Sequence, residues 1–346
     1  MTIEEIKKEV QSEKYDFLRK KPLGDSIILL GLGGSYAYGT NVEDSDIDIR
    51  GIAKNSAEEV LLGNGFEQVI DNPTDTTVYS LKKIINLLSN CNPNTIEILG
   101  LEDWQYIYMD DVGKALVDNA DMFLSKRAAQ SFGGYAKSQL KRLERLNVQS
   151  LTQADNESYI LKVVEEASKS FKKQYFPFGW KDYINLYIDD AVNDEFDEEI
   201  FMDVHLSHYP LRDYRDMWSD MNSLVKSHSS VGKRNKHAIE HNKLAKHMTH
   251  LVRLYLMCFD ILNDGKIITY RKKDHDFLMN IRNGKYLDED QRVKQEFWDL
   301  ADDLENKLEY YKVRSELPEN PDYERINKFL ADVNYEVVCN GYKASR

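Results

Sequence analysis

One stretch near the N-terminus limits the fold more than any other. Residues 26–32 form a short apolar run that closes on Gly33-Gly34-Ser35-Tyr36-Ala37-Tyr38-Gly39, and five residues later comes Ser45-Asp46-Ile47-Asp48. An apolar run of that length bounded by glycines reads as a buried strand. From residue 46 onward polar and apolar residues alternate, so Asp46, Asp48 and Arg50 share one face of a second strand and Ile47 and Ile49 the other. The missing side chains of the glycine turn let backbone N–H groups and the Ser35 hydroxyl approach phosphate oxygens closely. Two carboxylates, the first eleven residues beyond Ser35, point the same way and can hold divalent metal ions against such phosphates. The layout suits phosphoryl transfer. It is not a Walker loop, because no Gly-Lys-Ser/Thr follows the glycines, and no Gly-x-Gly-x-x-Gly dinucleotide fingerprint is present.

The surroundings fit an α/β unit. Ile3, Ile6, Val10, Phe17 and Leu18 suggest an opening helix, residues 76–80 and 105–109 further strands, and residues 81–88 a helix. Asn92-Pro93 supplies an N-cap followed by proline at the first helical position, starting a helix through Ile96 and Leu99. Beyond about residue 111 helical spacing dominates, over 128–146, 159–172, 243–262, 291–313 and 323–333. A length of 346 residues suits two domains. The expectation is an α/β (α+β) fold, with a small mixed sheet in residues 1–110 and a mostly α-helical C-terminal domain in residues 111–346.

Gly34-Ser35, the step to Asp46 and the Asp-Ile-Asp run resemble the signature of the DNA polymerase beta superfamily of nucleotidyltransferases. Within it, the chain is similar to the RNA-repair-pathway polymerase-beta-like family, RlaP. That similarity rests on Asp75-Thr76-Thr77-Val78-Tyr79-Ser80-Leu81-Lys82-Lys83, on Asn92-Pro93-Asn94 through Glu97, on Gly134-Tyr135-Ala136, on Lys246 through His250 to Leu254, and on Ile281-Arg282-Asn283-Gly284. The resemblance implies a nucleotidyltransferase domain beside a helical domain that binds nucleotide or acceptor. Asp46 and Asp48 match its two metal ligands, for two Mg²⁺ ions that Mn²⁺ can replace. Gly34 and Ser35 match its nucleotide-binding turn. A third carboxylate completes such a cluster, and Asp75, opening a predicted strand where the family carries an acid, is the expected one. Glu97 is its rival, although its predicted helix argues for packing. The implied reaction moves NMP from an NTP, ATP foremost, to an acceptor hydroxyl and releases pyrophosphate. An RNA end is the favoured acceptor; a protein hydroxyl or an aminoglycoside-like small molecule uses the same active site, and a catalytically inactive nucleotide-binding module is the reading of another class.

Acidic residues exceed basic ones, 59 to 46, so the average field repels polyanions and any RNA contact needs a local basic surface. Residues 226–253 supply one: five lysines, two arginines and five of the eight histidines stand against the single acid Glu240. Lys246, His250 and Arg253 follow at helical spacing on a polar face, beside an apolar stripe of Leu244, Met248, Leu251 and Tyr255. With the family similarity around them, these three are candidate nucleotide-binding residues, against the simpler reading of a solvated face. His237-Ala238-Ile239-Glu240-His241 spells an inverted zinc-protease motif, but the charged surroundings and the lack of a third ligand make it a chance match. Residues 184–203 hold eight acids and no base, a pattern expected of a solvated helix or loop without chemistry. Arg50 is expected to pair with a carboxylate or contact phosphate. Three scattered cysteines form no disulfide framework or metal knuckle, and residues 1–21 lack the apolar stretch of a signal peptide. A cytoplasmic protein with no membrane span is therefore expected; its oligomeric state is open.

Overall fold

The computed structural model describes residues 1–148, 169, 173–175, 183–190, 198–234, 243–289 and 292–344. The chain divides into two compact units, the first made of 1–139, 248–285 and 295–346 and the second of 140–247 and 286–294. Position 110 lies inside the first unit.

The first unit is built on a mixed five-stranded sheet. Its strands are β1 (Ile27–Gly33), β2 (Asp48–Ala53), β3 (Gln68–Asp71), β4 (Thr76–Ser80) and β5 (Tyr106–Met109), in the order β3-β4-β2-β1-β5. Only the β2–β4 pair is parallel. β1 is buried along its whole length, as an uninterrupted apolar strand in the middle of a covered sheet must be. Helices α1 (Ile3–Glu9), α2 (Gly34–Tyr38), α3 (Ala57–Leu62), α4 (Leu81–Ser89), α5 (Pro93–Ile96) and α6 (Asp111–Asp118) alternate with the strands. The core joins Ile28, Leu29, Ile49, Ile52 and Val78 of the sheet to Ile84 and Leu88 of α4, all essentially without exposure. α5 begins as the sequence predicts, with Asn92 capping the Asn94 N–H and Pro93 in the first turn, but it gives way to a 3₁₀ turn at Glu97–Gly100.

Among the described residues five longer helices follow: α7 (Arg127–Val148), α8 (Leu211–Arg234), α9 (Lys243–Phe259), α11 (Gln295–Arg314) and α12 (Tyr323–Ala344), with the shorter α10 (His275–Arg282) between α9 and α11. The helical expectation for the C-terminal half is thus met at 128–146, 243–262 and 323–333 and, of 291–313, from Gln295 onward, whereas 159–172 lies mostly outside the described residues.

The structure corrects two readings. The described residues of the acidic stretch 184–203 are strand and not the expected helix or loop: β6 (Tyr183–Asp190) and β7 (Glu198–His205) pair antiparallel, from Tyr183 with His205 to Asp190 with Glu198. Alternating Ile, Leu, Tyr and Phe residues carry strand propensity there, and charge count alone does not report it. The second strand of the sheet also begins later than its alternation suggests. Asp46 precedes β2, in a loop where the Val42 and Ser45 main chains and the Ser45 hydroxyl close a turn. No helix among the described residues is long and apolar enough to cross a membrane.

Candidate active site

The site forms where β1 ends and β2 begins. Register puts Gly33 directly opposite Asp48, and the chain turns at once into α2 through Gly34, whose φ is +55°. Gly34 is glycine for two reasons. L-residues avoid that backbone conformation, and a Cβ there would lie 1.8 Å from Asp48 Oδ2. The bare backbone therefore seats the Asp48 carboxylate against the turn that carries Ser35. Gly34→Ala is expected to push Asp48 out of place and strain the turn, lowering Tm by several degrees and removing site function; thermal melting beside an activity assay checks both parts.

Arg50 lies two residues on, on the same strand face. Its Nη2 is 3.5 Å from Asp48 Oδ1, and its Nη1 donates to the Asp75 carbonyl at 2.8 Å. It pairs with a carboxylate, one of the two roles expected of it. The parallel register with β4 sets Thr77 beside Arg50 and Tyr79 beside Ile52, so half-buried Thr77 and Tyr79 border this face.

Asp75 sits just before β4 on a left-handed residue, φ +46°, with its side chain exposed. Its carbonyl faces Arg50, while its carboxylate is among the charges that raise the buried Tyr15 phenol, after burial itself and with Glu9 and Asp71. Among the described residues no three His, Cys, Asp or Glu side chains converge as a metal-holding group, so Asp46, Asp48 and Asp75 are not gathered into one. Glu97 is a carboxylate that feels the Asp48 charge.

Glu97 belongs to a buried network that the sequence did not disclose. Tyr38 Oη donates to Glu97 Oε2 at 2.6 Å, and Arg253 Nη1 lies 3.4 Å from the same oxygen. The Arg253 guanidinium stacks on the Tyr38 ring, 3.5 Å from its centroid. Its Nη2 lies 3.0 Å from His250 Nδ1; a guanidinium only donates, so that nitrogen accepts. Burial pushes the Glu97 carboxyl up, and Arg253 and the Tyr38 hydroxyl pull it back. Burial likewise raises the Tyr38 phenol well above its usual range.

The polar face expected through Lys246, His250 and Arg253 is thereby corrected. Lys246 is exposed and belongs to the second unit, His250 is half-buried against Tyr135, and Arg253 is only 2% exposed. Steps of four and three residues keep these side chains on one side of α9, and burial deepens along the helix axis, where residues 251–255 are buried all round. The signal for Tyr38 was its place three residues after Ser35, which sets both on one face of α2. His237 and His241 lie outside the described residues.

A glycine turn at the end of a buried strand, pressed on a carboxylate at the start of its antiparallel neighbour, is the arrangement of a polymerase-beta-type nucleotidyltransferase domain. The sequence profile of the RNA repair pathway DNA polymerase beta family, RlaP, matches residues 2–177, just over half of the chain, and the protein belongs to that family. It is also similar to the "Uncharacterized 38.9 kDa protein in nrdC-mobD intergenic region" of Enterobacteria phage T4, with 28% identity over 122 residues. That match covers 32% of this chain and 36% of the phage protein, so it spans about a third of the relative's length. No solved structure matches.

Proposed function

We infer that the protein is a cytoplasmic Mg²⁺-dependent nucleotidyltransferase that moves NMP from an NTP to an acceptor hydroxyl, with an RNA end as the favoured acceptor. The observation that carries this reading is the seating of Asp48 against Gly34, which brings a phosphate-approachable turn and a carboxylate to one point.

The donor set suits the metal. Mg²⁺ keeps several waters and is commonly held by one or two carboxylates plus substrate phosphates, so Asp46 and Asp48 suffice without a preformed three-carboxylate cage. Bound there, Mg²⁺ would neutralise triphosphate charge and polarise the α-phosphorus, and Mn²⁺ could replace it. Gly34 and Ser35 hold the phosphates. Arg50, tied to Asp48 and to the Asp75 main chain, fixes the orientation of the carboxylate. The acceptor oxygen bonds to the α-phosphorus as the bond from that phosphorus to the bridging oxygen breaks, and pyrophosphate leaves. The hydroxyl proton passes to a carboxylate, for which Asp75 is the candidate. His250 and Arg253 act on the nucleotide site through Tyr38, which extends from the same short helix as Ser35.

The test is incubation with each α-labelled NTP, Mg²⁺ and total RNA or total protein. Label entering RNA with release of pyrophosphate is the expected result. Label entering protein moves the acceptor to a protein hydroxyl, and absence of both label and pyrophosphate with every acceptor overturns the reading. In the same assay Asp75→Asn is expected to lower turnover at least about a hundredfold; full turnover in that variant removes Asp75 from the proton-accepting role.

A further inference from the structure

A pocket of about 250 Å³ opens beside Tyr38 and Gly39, at the end of α2 opposite Gly34. It lies wholly within the first unit. Its wall is aromatic and firmly set. Gly39 has φ +74°, and a Cβ there would lie 2.5 Å from Tyr270 Cε2, so the ring rests directly on the backbone of the turn. Trp104, 46% exposed, meets that ring edge-on at 5.4 Å and 86°.

The segment behind the ring is tied down. The Arg271 N–H donates to the Tyr38 carbonyl at 3.0 Å, and its guanidinium is spent on Asp260 and Asp274. Gln105 Nε2 donates to the Tyr36 and Ala37 carbonyls, and the Thr269 hydroxyl to the Glu97 carbonyl. At the rim, exposed Lys272 and His275 leave positive charge and hydrogen-bonding capacity facing the opening, with Asp276 beside His275.

A flat aromatic wall, an exposed ammonium and an imidazole around a cavity smaller than a drug-sized site suit one planar base with its phosphate. Five residues of helix rise only about 6 Å, so Ser35 and this pocket are about one nucleotide apart. We propose that the pocket binds a nucleotide unit, its base against Tyr270 and its phosphate at Lys272, supplied by the donor NTP or by the terminal nucleotide of an RNA acceptor. The proposal rests on the nucleotidyl-transfer reading and adds the subsite that reads the base.

The experiment measures equilibrium binding of labelled ATP and of a short labelled single-stranded RNA to the full chain and to Tyr270→Ala, Tyr270→Phe and Lys272→Ala. Tyr270→Ala is expected to weaken one of the two probes about tenfold, the scale of a lost base stack, with Tyr270→Phe restoring most of it. Weakening confined to ATP assigns the pocket to the donor, and weakening confined to RNA assigns it to the acceptor. If RNA is the ligand, Lys272→Ala also makes its affinity less dependent on salt. Affinities within twofold of wild type for both probes in Tyr270→Ala and Lys272→Ala, alongside transfer lost in Asp48→Asn, overturn the pocket alone. A wild-type chain that binds neither probe overturns the pocket and the transfer reading together.

Discussion

Asp48→Asn is expected to lower nucleotidyl transfer by about three orders of magnitude or more while the fold persists. The amide has the shape of the carboxylate, so the contact with Gly34 remains. What disappears is the anionic oxygen that would hold a divalent ion against the phosphates, where preorganised charge has its largest effect on rate. Stability should change little, because the Asp48–Arg50 pair at 3.5 Å is half-exposed and such pairs are worth about 0–1 kcal/mol. Label transfer from α-labelled NTP and thermal melting of the same sample separate the two effects. Asp46→Asn should behave alike, since its exposed side chain has no packing role to lose. Full transfer in either variant would falsify the metal assignment.

The second large effect is on stability. Glu97 and Arg253 have side chains 7% and 2% exposed, and removing one partner leaves the other charge buried and uncompensated. Breaking such a pair costs about 3–5 kcal/mol, so Glu97→Gln or Arg253→Met is expected to lower Tm by about 10 °C. Replacing both should cost markedly less than the sum, since neither charge is then stranded. A double-mutant cycle followed by thermal melting measures this directly. Additive losses would show that the two side chains do not depend on each other. Through Tyr38, which Glu97 accepts from and Arg253 stacks on, the single variants should also disturb α2 and hence Ser35. A weakened nucleotide affinity that the double variant fails to restore would separate that positioning effect from stability.

Much of the sheet and the core of the site could be read from local pattern. The run ending in Gly33-Gly34-Ser35 is β1 and its turn, residues 76–80 are β4 to the residue, and Asn92-Pro93 caps a helix start, because burial period, glycine freedom and cap chemistry all act within a few positions. The same holds for the pairing of Asp48 with the glycine turn, since two short strands joined by a loop bring their facing ends together. The acidic strand pair shows where local pattern misled: charge count spoke louder than the Ile, Leu, Tyr and Phe residues that favour β6 and β7.

The partners of Glu97 and Arg253 were beyond such a reading. They lie 156 positions apart, and α9 presents its residues to a neighbour whose identity depends on how distant elements pack. Periodicity could place Arg253 on a face of α9 but not say that Tyr38 and Glu97 would cover it. Likewise, the alternation around Asp46 is compatible with a strand that starts at either residue 46 or 48. Pairing with β1 extends only to Gly33 opposite Asp48, and that end of the ladder leaves Asp46 in a loop, because a strand persists only where a neighbour accepts its backbone hydrogen bonds.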